Sequence, residues 1–186
     1  MKITDMTLED LFLLAKKGSG TAFEQIVIRT ENEIYNLALS ITRSREDAED
    51  ATQETYMRLW KSLEDYKGAS AKSYLFKTAR NLSIDIVRKK NKHEIIDLDE
   101  AIMIEDSDYG LRPDEAYIKK LTSAAVRECV YSLPLPMREL IVMRDIDGLT
   151  YSEMAEVLGI PEGSVKSGLF RARERLRRLI IEKNIL

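Results

Sequence analysis

Between Thr150 and Lys166 the chain reads TYSEMAEVLGIPEGSVK, which dictates two helices and the corner between them. Thr150 caps the first helix, with Glu153 three residues on to close a capping box. Ala155 is small where two helices must cross closely. Gly159 supplies the positive φ that a sharp exit demands. Pro161 and Glu162 suit entry into a new helix, and Ser164 is expected to cap it at its first full turn. In the helix that follows, to about Lys183, Val165, Leu169, Ala172, Leu176 and Leu179 share one face. Lys166, Ser167, Phe170, Arg171, Arg173 and Arg178 lie on the other. A buried stripe backing a basic outer face is what a helix entering the major groove needs. The bland alternative is a helical hairpin with a solvated basic face. Arg144, just before the turn, is placed to hold a phosphate and fix the register. Phe170 is either an apolar base contact or packing.

Charge is segregated along the chain. Lys77 to Lys92 holds six bases against one acid, and Ser164 to Leu186 seven bases against two acids. Between them, His93 to Ala116 carries nine acids and one arginine, and Glu46 to Asp65 seven acids and two bases. The net charge of −3 therefore conceals two basic patches suited to two anionic contacts, with acid set apart from both.

The remaining pattern is helical throughout. Leu8, Leu11, Phe12 and Ala15 recur at helical spacing up to Gly18-Ser19-Gly20. Phe23, Ile26, Val27, Ile34, Leu37, Ala38 and Ile41 make a stripe from about Thr21 to Ile41. A third helix begins near Arg45 with acids in its first turn and ends near Tyr66-Lys67-Gly68; a fourth runs from Ala71 to Lys92. In the second half, helices are expected over Tyr117–Leu133, Met137–Asp145 and Tyr151–Leu158. With 8 glycines, 4 prolines and no run favouring strands, the class is all-α: two small helical domains, 1–92 and 117–186. The acidic stretch 93–116 reads as an extended, flexible linker.

Several function classes drop out. A single histidine, His93, and a single cysteine, Cys129, rule out most zinc sites and any internal disulfide, and leave little for histidine-based catalysis. No cofactor, metal or catalytic group is expected, because neither a glycine-rich phosphate loop nor a nucleophile with a base is present. No apolar run approaches the roughly 20 residues that cross a bilayer, and the N-terminus is too acidic for a signal peptide. No membrane insertion and a cytoplasmic location are therefore expected.

Two surfaces in the first half are richer than solubility requires. At about 100° per residue, Ala48, Thr52, Thr55, Tyr56, Leu59 and Leu63 share one face of the third helix, and Asp50, Gln53, Glu54, Met57 and Lys61 the other. With Trp60 beside them, these outward groups suit a basic helical partner, the alternative being a merely solvated face. The loop after it, Asp65 to Ala71, combines Tyr66, Lys67 and Gly68, and Lys77, Asn81 and Arg88 line one stripe of the next helix. Such a set can receive an unstacked base and hold single-stranded backbone. Taken alone, these residues favour the plainer reading, in which Tyr66 packs and Asn81 is a hydrogen-bonded helix residue.

These segments resemble a known family. DAEDATQETYMRLW (Asp47–Trp60) with SYLFKTARNLSID (Ser73–Asp85) is similar to region 2 of bacterial extracytoplasmic-function sigma factors of the sigma-70 family. Leu133-Pro134 with Arg138-Glu139, then Asp147–Tyr151 and Gly163–Arg173, are similar to region 4. The resemblance implies a transcription initiation factor rather than an enzyme. Asp50, Gln53, Glu54, Met57 and Trp60 would meet the β′ clamp coiled coil of core RNA polymerase. Tyr66, Lys67, Gly68, Ser73, Lys77, Asn81 and Arg88 would capture the −10 element. Arg144, Ser164, Lys166, Ser167, Phe170, Arg171 and Arg173 would read the −35 element, with the β flap as region 4's polymerase contact. It further implies an anti-sigma factor that masks these surfaces, a linker threading toward the polymerase channels, and a place near the nucleoid or held at the membrane by that partner. Gly168 departs from the family pattern, which often has Arg there. The rival reading is a stand-alone helix-turn-helix regulator with a palindromic site and tight, salt-sensitive binding of its own.

Overall fold

The computed structural model describes residues 3–66, 70–90, 124–183 and 185. Contacts divide the chain into two units, Met1–Lys92 and His93–Leu186. The described residues of both are helical, without strands. Lys67, Gly68 and the acidic stretch 93–116 lie outside the described residues, as does the expected helical segment 117–123.

In the first unit, capping side chains set where the helices begin. Helix α1 (Leu8–Lys16) opens on a capping box between Thr7 and Asp10. Ser19 accepts from the Ala22 amide to start α2 (Gly20–Thr42), and Ser44 from the Asp47 amide to start α3 (Arg45–Ser62). After a short 3₁₀ turn, Leu63–Asp65, and the Ser70 hydroxyl at its entry, α4 runs Ala71–Lys90. Helix α2 is the spine against which α1, α3 and α4 pack. Leu11, Phe12, Ile26, Ile34, Leu37, Leu59, Leu75 and Phe76 form the fully buried core; each contributes about 1.5–3 kcal/mol on leaving water. Ala38, Ala48 and Ala51 cluster where α2 and α3 approach. The buried face expected of α3 (Ala48, Thr52, Thr55, Tyr56, Leu59 and Leu63) is buried at every position. Inside it the Tyr56 hydroxyl meets Thr30 Oγ1 at 2.8 Å, and Thr30 in turn donates to the Ile26 carbonyl at 2.7 Å. Burial pushes the Tyr56 phenol well above its ordinary pKa.

The second unit contains α5 (Ala124–Ser132), α6 (Leu135–Ile141), α7 (Tyr151–Leu158) and α8 (Glu162–Glu182). Helix α6 begins two residues before the expected Met137, because Pro136 sits within its first turn, where the missing N–H costs nothing. It widens into a π-helical turn over Val142–Ile146. The Thr150–Glu153 capping box forms as read, and Gly159 takes φ 69°. Ser164 does not cap α8: Pro161 stands at the N-cap, with φ −59°, and Ser164 lies inside the helix. Val165, Leu169, Ala172, Leu176 and Ile180 supply α8's buried face, and Leu179 is half-buried.

Candidate nucleic-acid interface

The surface around α8 is built from the π turn. The wider turn lets the Asp147 amide reach the Val142 carbonyl at 2.9 Å and the Leu149 amide the Met143 carbonyl at 2.8 Å. It turns two adjacent, oppositely charged residues toward different neighbours. Arg144 donates to the Leu149 carbonyl at 2.6 Å and lays its guanidinium 4.8 Å from the centre of the Tyr151 ring. Asp145, almost wholly buried, is gripped by Arg173: Nε donates at 3.0 Å, and Nη2 to the other carboxylate oxygen. Arg173, expected among the outward bases, is therefore engaged within the unit.

Lys166 lies seven residues before Arg173 and on the same stripe of α8. Its ammonium bonds Glu162 at 2.7 Å and stands 5.5 Å from the Tyr151 ring centre. Glu162 raises the Lys166 pKa, chiefly through that hydrogen bond. One aromatic ring thus serves two cations, each such contact being worth about 0.5–1 kcal/mol at an exposed site. Sequence reasoning missed Tyr151 in this role; the clue available was an aromatic directly after a capping threonine, at the foot of the turn that ends in Leu149. Ser167, Phe170 and Arg171 are half-exposed on the neighbouring stripe, and Ser164 is half-buried beneath, its carbonyl accepting from Ser167 at 3.2 Å. Gly168 lies on the buried side of α8.

On the first unit, Asp50, Gln53 and Met57 are exposed along α3, and Glu54 pairs with Arg58 one turn later at 3.0 Å. Met57 is 53% and Trp60 51% exposed. The Trp60 ring meets Phe23 of α2 edge-on at 4.8 Å, so the apolar patch has a second helix beneath it that sequence reading did not include. Lys77, Asn81 and Arg88 are exposed on α4. Tyr66 and Ser73 are not surface groups. Tyr66 is buried against Phe12 at 4.9 Å and Tyr74 at 6.3 Å, and its carbonyl accepts from Lys16. Ser73 is 1% exposed. A buried phenol beside two aromatics gains more from packing than a loop position offers it, so the packing alternative describes Tyr66 in this structure.

Among the described residues no cluster of three or more metal-ligating side chains is present, and no helix is long and apolar enough to cross a membrane. Comparison with known proteins finds one family pattern in each unit. The pattern of Sigma-70 region 2 matches residues 26–93, and that of Sigma-70, region 4 matches 123–176. The chain is 30% identical over 181 residues to the ECF RNA polymerase sigma factor SigW of Bacillus subtilis, covering 94% of this chain and 97% of that one. It is 30% identical over 159 residues to the ECF RNA polymerase sigma factor SigE of Mycolicibacterium smegmatis, covering 84% of this chain and 60% of that longer one. Among solved structures it resembles CnrH, determined in complex with the cytosolic domain of CnrY, with TM-score 0.69 and 26% identity over 94% of this chain and 97% of CnrH. The chain belongs to the extracytoplasmic-function sigma factors of the sigma-70 family, the initiation factors that direct RNA polymerase to promoters.

Proposed function

We propose that the two units divide promoter recognition by charge. The carrying observation is the contrast between the outward face of α3, acidic with half-exposed Met57 and Trp60, and the outward face of α8, basic with Lys166 and Arg171. Asp50, Gln53, Glu54, Met57 and Trp60 dock on the β′ clamp coiled coil: the carboxylates steer the encounter, and the two apolar side chains anchor it. Lys77, Asn81 and Arg88, with Lys67 and Gly68, hold the opened −10 strand, and the buried Tyr66 and Ser73 act from inside the unit. Lys166, Ser167, Phe170 and Arg171 read the −35 element, Arg144 binds phosphate, and Ser164 and Arg173 act from inside the unit. The β flap receives region 4. Region 2 spans 1–92, the acidic linker 93–116 and region 4 117–186; the division of contacts near Lys92 supports this assignment.

Free in the cytoplasm, the chain binds DNA weakly, because acid repels phosphate and the two readers are not held at a fixed spacing. On the polymerase both weak readouts act together, as multivalency requires. An anti-sigma partner covers the same surfaces; the complex of the similar CnrH with the cytosolic domain of CnrY supports a protein partner for a chain of this fold. The test is a pair of variants assayed for core-polymerase affinity and −35 recognition separately. Gln53→Ala with Met57→Ala loses the first and keeps the second, whereas Lys166→Glu does the reverse. Unchanged holoenzyme affinity in the first variant overturns the choice of face.

A further inference from the structure

The Lys166 ammonium is already occupied within the second unit. Glu162, one turn earlier, holds it at 2.7 Å, and both side chains are close to half exposed, at 44% for Lys166 and 46% for Glu162. The Tyr151 ring holds the same ammonium from the side of α7, and Arg144 draws on that ring too. A carboxylate on a recognition-helix lysine occupies the place of a phosphate or a base-edge acceptor, so DNA must displace it. Glu162 also stands at the first position of α8, where its charge favours the helix dipole but opposes an approaching phosphate.

We propose that Glu162 is a specificity-determining residue: an internal counterion that ties Lys166 back in the DNA-free protein and taxes every duplex unable to offer Lys166 something better. A phosphate contact alone exchanges one anionic partner for another and gains little. A base-edge acceptor that also seats Phe170 and Arg171 repays the loss. The carboxylate thus lowers non-specific binding more than it lowers binding to the correct −35 sequence. This inference rests on the reading of Lys166 as a DNA contact.

The experiment measures anisotropy of a labelled mixed-sequence duplex with the full chain at several low salt concentrations, using wild type, Glu162→Gln, Lys166→Ala and the double variant. Glu162→Gln should tighten binding about twofold, the size expected from releasing an exposed pair one turn apart. The salt slope should steepen by about one unit as Lys166 gains a phosphate. In the Lys166→Ala background the same substitution should gain clearly less, only what relief of the carboxylate's own repulsion of phosphate supplies, and should leave the salt slope unchanged. A gain of equal size in both backgrounds overturns the proposal, since Glu162 would then act only as a general negative charge. So does no gain in wild type while Lys166→Ala weakens binding. If Lys166→Ala leaves affinity and slope unchanged, the underlying assignment of Lys166 to DNA fails, and the proposal fails with it.

Discussion

Removing the Asp145 carboxylate takes from the Arg173 guanidinium the two acceptors it grips at the junction of the π turn and α8. The Asp145 side chain is 1% and that of Arg173 21% exposed, so the pair is largely desolvated. Breaking such a pair from one side costs about 3–5 kcal/mol, and Arg173's residual exposure puts the cost near the lower end, about 3 kcal/mol. A helical unit of about sixty residues has roughly 3–9 kcal/mol of stability to lose, so Asp145→Ala should bring the second unit close to its limit. With a urea slope of about 1–1.5 kcal/mol per M, the midpoint falls by roughly 2–3 M. Circular dichroism records that fall. Trp60, the single tryptophan and a residue of the other unit, supplies a fluorescence transition that should not move. Arg173→Ala should cost a similar amount by stranding the carboxylate. The double variant should be milder than the sum by about 2 kcal/mol, and Asp145→Leu with Arg173→Met should lie within about 1 kcal/mol of wild type. Additivity of the two alanine substitutions within about 0.5 kcal/mol would refute the coupling of these groups across the π turn and α8.

Gly159→Ala tests the corner: its φ is 69° and nothing crowds the new methyl, so the loss is backbone strain alone, about 1–2 kcal/mol by urea denaturation. Lys90 donates to Asp47 and holds that carboxyl below its ordinary range, while Asp47 raises Lys90. A depressed acid contributes stability above its unfolded pKa and loses it as pH falls through the folded value; a raised base contributes below its unfolded pKa and loses it as pH rises through the folded one. The pair therefore supports the first unit between the ordinary Asp and Lys ranges. Lys90→Met should flatten the acid limb of a stability profile followed by Trp60. Arg171→Ala should cost about 1–3 kcal/mol of −35 discrimination if its contact is bidentate, read by competition between promoter duplexes on the holoenzyme.

Helix positions were legible because apolar spacing and caps coincide. Thr150 with Glu153 and the buried stripe of α3 follow directly from residue order, since both depend on neighbours within one or two turns. The misplaced cap shows where that logic ends: Ser164 is a good capping residue, but Pro161 comes first, with its φ already set for helix entry. The π turn carries no local mark; it is fixed by packing Val142 and Met143 inward while the chain still has to reach Leu149. Arg173 was counted with its basic neighbours because charge patterning sees only sequence. Its partner lies 28 residues away and becomes visible only when α8 packs on the turn. Tyr66 was read from a loop composition rich in surface-type residues, whereas Phe12, distant in sequence, supplies the ring that draws it inward.

We propose that this chain becomes a sequence reader only in the grip of the polymerase. Run-off transcription from a library of promoter fragments, with core polymerase and the purified chain, tests it most directly, alongside binding of the same fragments by the chain alone. Transcripts from fragments sharing one −10 and one −35 pattern, none of which the chain alone selects, is the predicted result. Tight selection of a palindromic duplex by the chain alone, with transcription indifferent to its presence, would contradict it.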